Sequence, residues 1–149
     1  MAYNFSDGVA LVSLATHTDE NKWTYIDKQG NRLFDKEFEL ANSFSEGYAV
    51  VLKEGYAAPL PTEVPRRWAY IDKTGEFVTK SDFEEAYDFK GGYAIVKNNG
   101  KYGVIDKGLN LVIPYEYDDC MYTDDNEIFY VQENESKKFI DITGQTVGE

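Results

Sequence analysis

The chain has 149 residues, 42% of them hydrophobic and 15% aromatic, which is enough length and apolar content to bury a sizeable core. Its 27 acids against 15 Lys and Arg leave a formal charge of −12, a field that disfavours nucleic acid and anionic membrane and steers association with basic partners. No apolar run approaches the ~20 residues of a helical membrane span, and the start Met1-Ala2-Tyr3-Asn4-Phe5 lacks the basic and apolar segments of a leader, so a cytoplasmic location is expected.

The first predicted element follows Phe5-Ser6-Asp7-Gly8-Val9-Ala10, a phrase that returns as Phe44-Ser45-Glu46-Gly47-Tyr48-Ala49 and as Phe89-Lys90-Gly91-Gly92-Tyr93-Ala94. Each phrase leads to an aromatic strand that ends in Ile-Asp-Lys, at Ile26-Asp27-Lys28, Ile71-Asp72-Lys73 and Ile105-Asp106-Lys107. The tetrads Asp27-Lys28-Gln29-Gly30 and Asp72-Lys73-Thr74-Gly75 predict tight turns, with Asp capping through its side-chain oxygen and Gly in the left-handed position. In the third copy the glycine comes one residue early, at Gly108, which predicts a turn of another type. Tyr48-Ala49-Val50-Val51-Leu52, Trp68-Ala69-Tyr70-Ile71 and Glu76-Phe77-Val78-Thr79 carry the strand signals of the second copy, so each repeat is expected to be a three-stranded antiparallel meander. Segments 36–41 and 81–86 are expected to form a helical turn or an irregular crossing. In the third copy Ile113-Pro114-Tyr115 stands there, and the proline excludes a central strand position.

Spacing separates a fixed frame from a variable part. From Asp27 the steps to Phe38 and Ala41 are 11 and 14, and the same steps run from Asp72 to Phe83 and Ala86 and from Asp106 to Tyr117 and Cys120. Length varies at one place only: Gly8 to Trp23 is 15, Gly47 to Trp68 is 21 and Gly92 to Tyr102 is 10. Ile140-Asp141-Ile142-Thr143-Gly144 marks a fourth copy whose opening segment, 122–127, has lost its glycine, as expected of a terminal repeat whose outer face meets water. The expected fold class is all-β. It comprises a single domain of antiparallel β-meander repeats, three full (approximately 5–43, 44–88 and 89–121) and one degenerate (122–149), stacked in a solenoid-like or partly propeller-like assembly.

The phrase Phe-Ser-x-Gly-x-Ala, then Lys-Trp-x-Tyr-Ile-Asp-Lys-x-Gly, then Ile-Pro with a later aromatic and small residue, resembles the bacterial WG repeat, also called the KWG repeat. The resemblance covers nearly the whole chain. No copy keeps the Trp-Gly pair intact, the equivalents being Trp23-Thr24, Trp68-Ala69 and Tyr102-Gly103. It implies a β-rich repeat scaffold with no catalytic residues to carry over.

The remaining residues point to binding and away from catalysis. Cys120 stands where the other copies place Ala41 and Ala86 and is expected to be a small core residue, while the single histidine, His17, lies in a polar loop without a nucleophile near it in sequence. The acids Asp118, Asp119, Asp124, Asp125 and Glu127 lack the alternating ligands and central glycine of a calcium loop, so solvated acidic loops are favoured over weak calcium binding, and neither metal nor cofactor is expected. Residues 1–75 carry net −3 and residues 76–149 net −9. The longest insert, 53–67, holds Tyr56, Leu60, Pro59, Pro61, Pro65 and the basic pair Arg66-Arg67. Prolines lower the entropy a loop loses on docking. A protein partner, basic in character, is therefore expected to engage Tyr56, Leu60, Arg66, Arg67, Asp118, Asp119, Asp124 and Asp125. The most concrete form of this expectation is a non-enzymatic, immunity or antitoxin-like protein that occludes a basic toxin; a general scaffold or adaptor repeat, or a carbohydrate- or small-ligand-binding β protein using Trp23, Trp68 and Tyr102, are the alternatives.

Overall fold

Asp-led turns set the pattern of the chain. In the computed structural model, which describes residues 2–14, 22–54, 65–79 and 82–148, Asp27 Oδ1 accepts the N–H groups of Gln29 and Asn31, both at 2.9 Å. The Gly30 N–H donates to the Asp27 carbonyl at 3.0 Å, and the Asp27 N–H to the Asn31 carbonyl at 2.9 Å. With Gly30 at φ 85°, this is a three-residue hairpin loop closed by a left-handed residue. Asp72 and Asp141 repeat it, and there the hydroxyls of Thr74 and Thr143 also donate to the carboxylate.

The third turn does not change type, contrary to what the early glycine predicts. Asn110 N–H donates to Asp106 Oδ1 at 3.0 Å and Leu109 N–H to the Asp106 carbonyl at 2.9 Å. The fourth position stays left-handed although it is now Leu109, at φ 65°. The hairpin frame fixes the backbone, and a leucine accommodates it at a cost of about 1 kcal/mol. Leu109→Gly is therefore expected to raise the thermal midpoint by about 3 °C. A lower midpoint in a calorimetric scan would show that this position is unstrained.

The strands are β1 (Ala10–Leu14), β2 (Lys22–Ile26), β3 (Ala49–Glu54), β4 (Arg67–Ile71), β5 (Glu85–Ala86), β6 (Tyr93–Asn98), β7 (Lys101–Asp106), β8 (Leu111–Tyr117), β9 (Asp119–Tyr122), β10 (Ile128–Glu133) and β11 (Ser136–Asp141). The described residues are all-β, without a helix, and every strand pairing is antiparallel. The sheets are open, in the orders β1-β2, β3-β4, β5-β6-β7-β8 and β11-β10-β9. The chain gathers into two compact units, Met1–Asp82 and Phe83–Glu149.

The meander differs from its expected form in where the outer strands lie. Glu76-Phe77-Val78-Thr79 is not a strand: Phe77 makes a single bridge to Ile71, and Val78 N–H donates to the Tyr70 carbonyl at 3.0 Å. Among the described residues only the third repeat returns a full strand, β8, along β7. Gly103 explains this, because a Cβ there would lie 2.6 Å from the Ile113 carbonyl oxygen on β8. Where Thr24 and Ala69 take the same place, a Cβ occupies that space and the returning segment makes isolated bridges. Pro114 is tolerated because β8 is an edge strand, with register shifts along its pairing to β7. The further strand comes instead from the segment before each opening phrase, through the pairs Ala2↔Val12, Ala41↔Val51, Ala86↔Val96 and Cys120↔Val131. The fixed step from Asp to Ala41, Ala86 and Cys120 thus measures the distance from one sheet to the edge of the next.

The opening phrases are two-residue hairpins. Ser6 and Val9 exchange both backbone hydrogen bonds, at 2.8 and 3.0 Å, while Asp7 and Gly8 both have positive φ, as a type I′ turn requires. Repeat four lacks the glycine and substitutes a side-chain device, with Thr123 Oγ1 at 2.8 Å from the carbonyls of both Asp125 and Ile128.

Each unit has a core of its own. In the N-terminal unit Leu11, Tyr25 and Phe38 pack with Phe44, Ala49, Val51 and Ile71; the Tyr25 and Phe44 rings meet edge-on at 4.8 Å, and Tyr25 Oη donates to the Asn42 carbonyl at 2.7 Å. In the C-terminal unit Ile95, Val104 and Ile113 pack with Tyr117, Cys120, Phe129, Val131 and Ile140. Cys120 is buried as expected, and burial, aided by the Asp119 charge, pushes its thiol up to about 12.

Candidate interface at the insertion end

All length variation falls between the two strands of a hairpin, so its structural roots are Leu14 and Lys22 in repeat one and Glu54 and Arg67 in repeat two. In the N-terminal unit one of these roots, Lys22, and the chain neighbour of another, Lys53, line a cleft of about 370 Å³ together with Lys36, Glu37, Phe38, Glu39, Leu52 and Phe77. Lys22 reaches it from the start of β2, Leu52 and Lys53 from the end of β3, and Phe77 from just past the Asp72 turn.

The cleft has an apolar floor and a charged rim. Phe77 is exposed, and the Nζ atoms of Lys36 and Lys53 stand 5.7 and 5.2 Å from its ring centre. The rim ammonium groups are held in place by partners: Lys22 by Glu39 at 3.3 Å, Lys53 by Asp82 at 2.9 Å, and Lys36 by Glu76 at 3.5 Å and the Gly75 carbonyl at 2.8 Å. Such surface pairs contribute little stability singly but orient the side chains around the ring. The geometry suits an apolar side chain or a short extended segment set on Phe77. These lysines and Phe77 were not legible as a site in sequence, since they come together only when four separate segments fold. The one available signal was the place of Lys22 and Lys53 at the insert roots.

The sequence-predicted residues are distributed as follows. Tyr56 and Leu60, with Pro59, Pro61 and His17, lie outside the described residues. Arg66 is exposed, and Arg67 opens β4 half-buried, opposite Glu54. Asp118 is paired with Lys101 and accepts the Asn134 N–H at 2.7 Å; these contacts hold its carboxyl below the ordinary range. Asp119 is exposed and accepts the Cys120 N–H at 2.9 Å. Asp124 is exposed, and Asp125 Oδ1 accepts the Glu127 N–H at 3.0 Å. Asp118 and Asp119 stand at the start of β9, and Asp124 and Asp125 in the bend that follows its end, so the two pairs lie at opposite ends of the strand. Among the described residues no group of three or more His, Cys, Asp or Glu is placed to hold a metal ion. Trp23, Trp68 and Tyr102 occupy one register position, opposite Ser13, Leu52 and Lys97, and all are half-buried. Trp23 packs on the N-terminal core and stacks with Tyr3 at 5.5 Å. The Tyr102 hydroxyl donates to Glu85, and burial together with that carboxylate holds its phenol well above the ordinary range.

Three aspartates give the fold a defined acid response. Burial alone would raise Asp72, but the hydroxyl and N–H of Thr74, the Glu76 N–H and the Lys36 charge outweigh it and hold it below 3.8. Asp141, through Thr143 and its turn N–H groups, and Asp118 are likewise lowered. A depressed folded-state pKa contributes stability that is present above the unfolded-state value and lost as pH falls through the folded one. The melting midpoint is expected to hold down to about pH 4 and to fall below it, with a shallower fall in Asp72→Asn. A loss of stability already near neutral pH would contradict the assignment.

A model of the WG containing repeat matches residues 23–56, 68–102 and 102–135. These segments begin at Trp23, Trp68 and Tyr102, the three residues that share a register position. No curated protein matches the chain.

Proposed function

The chain belongs to the WG-repeat family, and on that premise we propose that it is a non-enzymatic β-repeat module that binds a protein. Its most concrete form is an acidic cytoplasmic protein of immunity or antitoxin type, which covers the working surface of a basic toxin. One observation carries the reading: the variable part of the repeat is rooted, in two copies, beside a cleft lined by an exposed phenylalanine, Phe77. Binding repeats commonly place their insertions on the binding face. In this reading Phe77 and the insert residues Tyr56 and Leu60 anchor the partner, with Arg66 and Arg67 at the root of the insert. Asp118, Asp119, Asp124 and Asp125, in the half of the chain that carries net −9, steer a basic surface toward it. A catalytic role draws no support from these acids, each pair being isolated by β9, or from the buried thiol of Cys120.

The experiment is capture from the source lysate at low and high salt, followed by assay of the recovered protein's toxicity with and without this chain. A single basic protein, neutralised on binding and lost with Phe77→Ser or with Tyr56→Ser/Leu60→Ser at unchanged melting temperature, is the expected result. Changing the four aspartates to Asn is expected to slow association about tenfold at low salt. Unaltered capture by the loop and Phe77 variants overturns the interface, and salt-independent association overturns the steering.

A further inference from the structure

In the N-terminal unit, Leu11 and Tyr25 of repeat one are covered by Phe44, Ala49, Val51 and Ile71 of repeat two. In the C-terminal unit, Ile95 and Val104 of repeat three are covered by Phe129, Val131 and Ile140 of repeat four. The covered face is the same in both cases. Leu11 lies opposite Tyr25 and Ile95 opposite Val104, and Tyr25 and Val104 each stand two residues before the turn aspartate.

Repeat four carries that face uncovered. Its positions are Tyr130 and Phe139, again opposite in register and with rings 5.1 Å apart. Met121 pairs with Tyr130 on one side, and Val147 donates its N–H to the Phe139 carbonyl on the other. Phe139 is 47% exposed, Met121 50% and Val147 38%, where Tyr25 and Val104 are 0% exposed. A row of four apolar side chains thus crosses an open sheet face.

Repeat one leaves the complementary face partly open: Ala10 and Thr24 on it are buried, but its edge is not. Phe44, the residue that covers Tyr25, is 1% exposed, whereas its counterpart Phe5 is 50% exposed. Val12 and Ile26, counterparts of Val51 and Ile71, are only half-buried.

We propose that these two faces are the halves of one interface, and that a second copy of this chain seats Phe5, Val12 and Ile26 on Met121, Tyr130 and Phe139. Phe5 takes against Phe139 the place that Phe44 takes against Tyr25. The contact continues a packing that the chain already makes once within each unit, which is what identifies the occupant as another such repeat. It is heterologous, joining head to tail, so each added copy presents a fresh face and association grows with concentration unless it closes into a ring. Because the residues are apolar, it tolerates salt that would weaken attraction to a basic partner, and it stands independently of the partner-binding reading.

The test is sedimentation velocity on the full chain over a wide concentration range, at low and high salt. Oligomers that grow with concentration at both salts are expected, with Phe139→Ser and Phe5→Ser each weakening association about 30-fold or more. Phe139→Leu is expected to retain it, and the melting midpoints report that each variant is folded. Mixing Phe139→Ser with Phe5→Ser gives the sharpest outcome: each copy keeps one intact face, so the mixture forms a dimer and stops there. A wild-type chain that stays monomeric, a dimer sensitive to only one of the two substitutions, or a mixture that fails to pair would each overturn the proposal.

Discussion

Phe44→Ala is expected to lower the unfolding free energy by about 3–5 kcal/mol, while the same change at Phe5 costs less than about 1 kcal/mol. The two residues open the same phrase, so motif position and local backbone are held constant and burial is the variable. Phe44 is 1% exposed and meets the Tyr25 ring edge-on at 4.8 Å, so its removal leaves a cavity between the sheets of repeats one and two. Phe5 is 50% exposed and its removal leaves none. A loss of this size is a large part of the ~5–15 kcal/mol that holds a typical domain folded, so Phe44→Leu serves as the milder companion. Urea midpoints at a common m-value provide the measurement, and equal losses at the two sites would refute the packing described here.

Gly103→Ala is expected to cost about 2–4 kcal/mol although it adds a single methyl group. At this position the backbone is not left-handed, so the penalty does not come from φ. It comes from the Ile113 carbonyl oxygen 2.6 Å from the new Cβ, which is a backbone atom and cannot rotate away. Relief requires β8 to leave β7, with loss of part of its ladder. Amide exchange should accordingly speed up along β8 while β6 remains protected on its β5 side. The reverse change, Ala69→Gly, removes the Cβ that stands in the way in repeat two and costs no more than about 1 kcal/mol. Undisturbed exchange on β8 in Gly103→Ala would mean that the strand finds another way to fit.

The turns were legible in the sequence because their cause is local. Asp27, Asp72 and Asp141 bind N–H groups no more than four residues away, so the tetrads contain the physics that folds them. Leu109 defeated the same reasoning because glycine placement follows preference, whereas the hairpin frame fixes the backbone. The outer strands were misplaced for a different reason. Whether 76–79 pairs along β4 depends on the residue at Ala69, and whether Ala41 pairs depends on β3, neither of which is visible in the segment itself. Periodicity also misleads in the hairpins, where Val50, Val51, Tyr70 and Ile71 are all buried and the in-out alternation of a one-faced sheet disappears. Of the candidate site, sequence located the insert and its root. The acids were grouped by closeness in sequence, which an extended strand converts into separation.

The handover between sheets bears on how such a chain could have grown by duplication. Phe38 still pairs with Trp23, while Leu40 already accepts a hydrogen bond from Leu52 in the next sheet, so the changeover falls at Glu39. The same changeover falls at Asp118, between Tyr117 on the third sheet and Cys120 on the fourth. A gene segment copied from phrase to phrase would leave the edge of its first sheet behind with the donor. One copied from residue 40 to residue 83 would carry an edge segment, a hairpin and its aspartate turn together. Recombination that preserves foldability is therefore out of phase with the motif that makes the repeat recognisable.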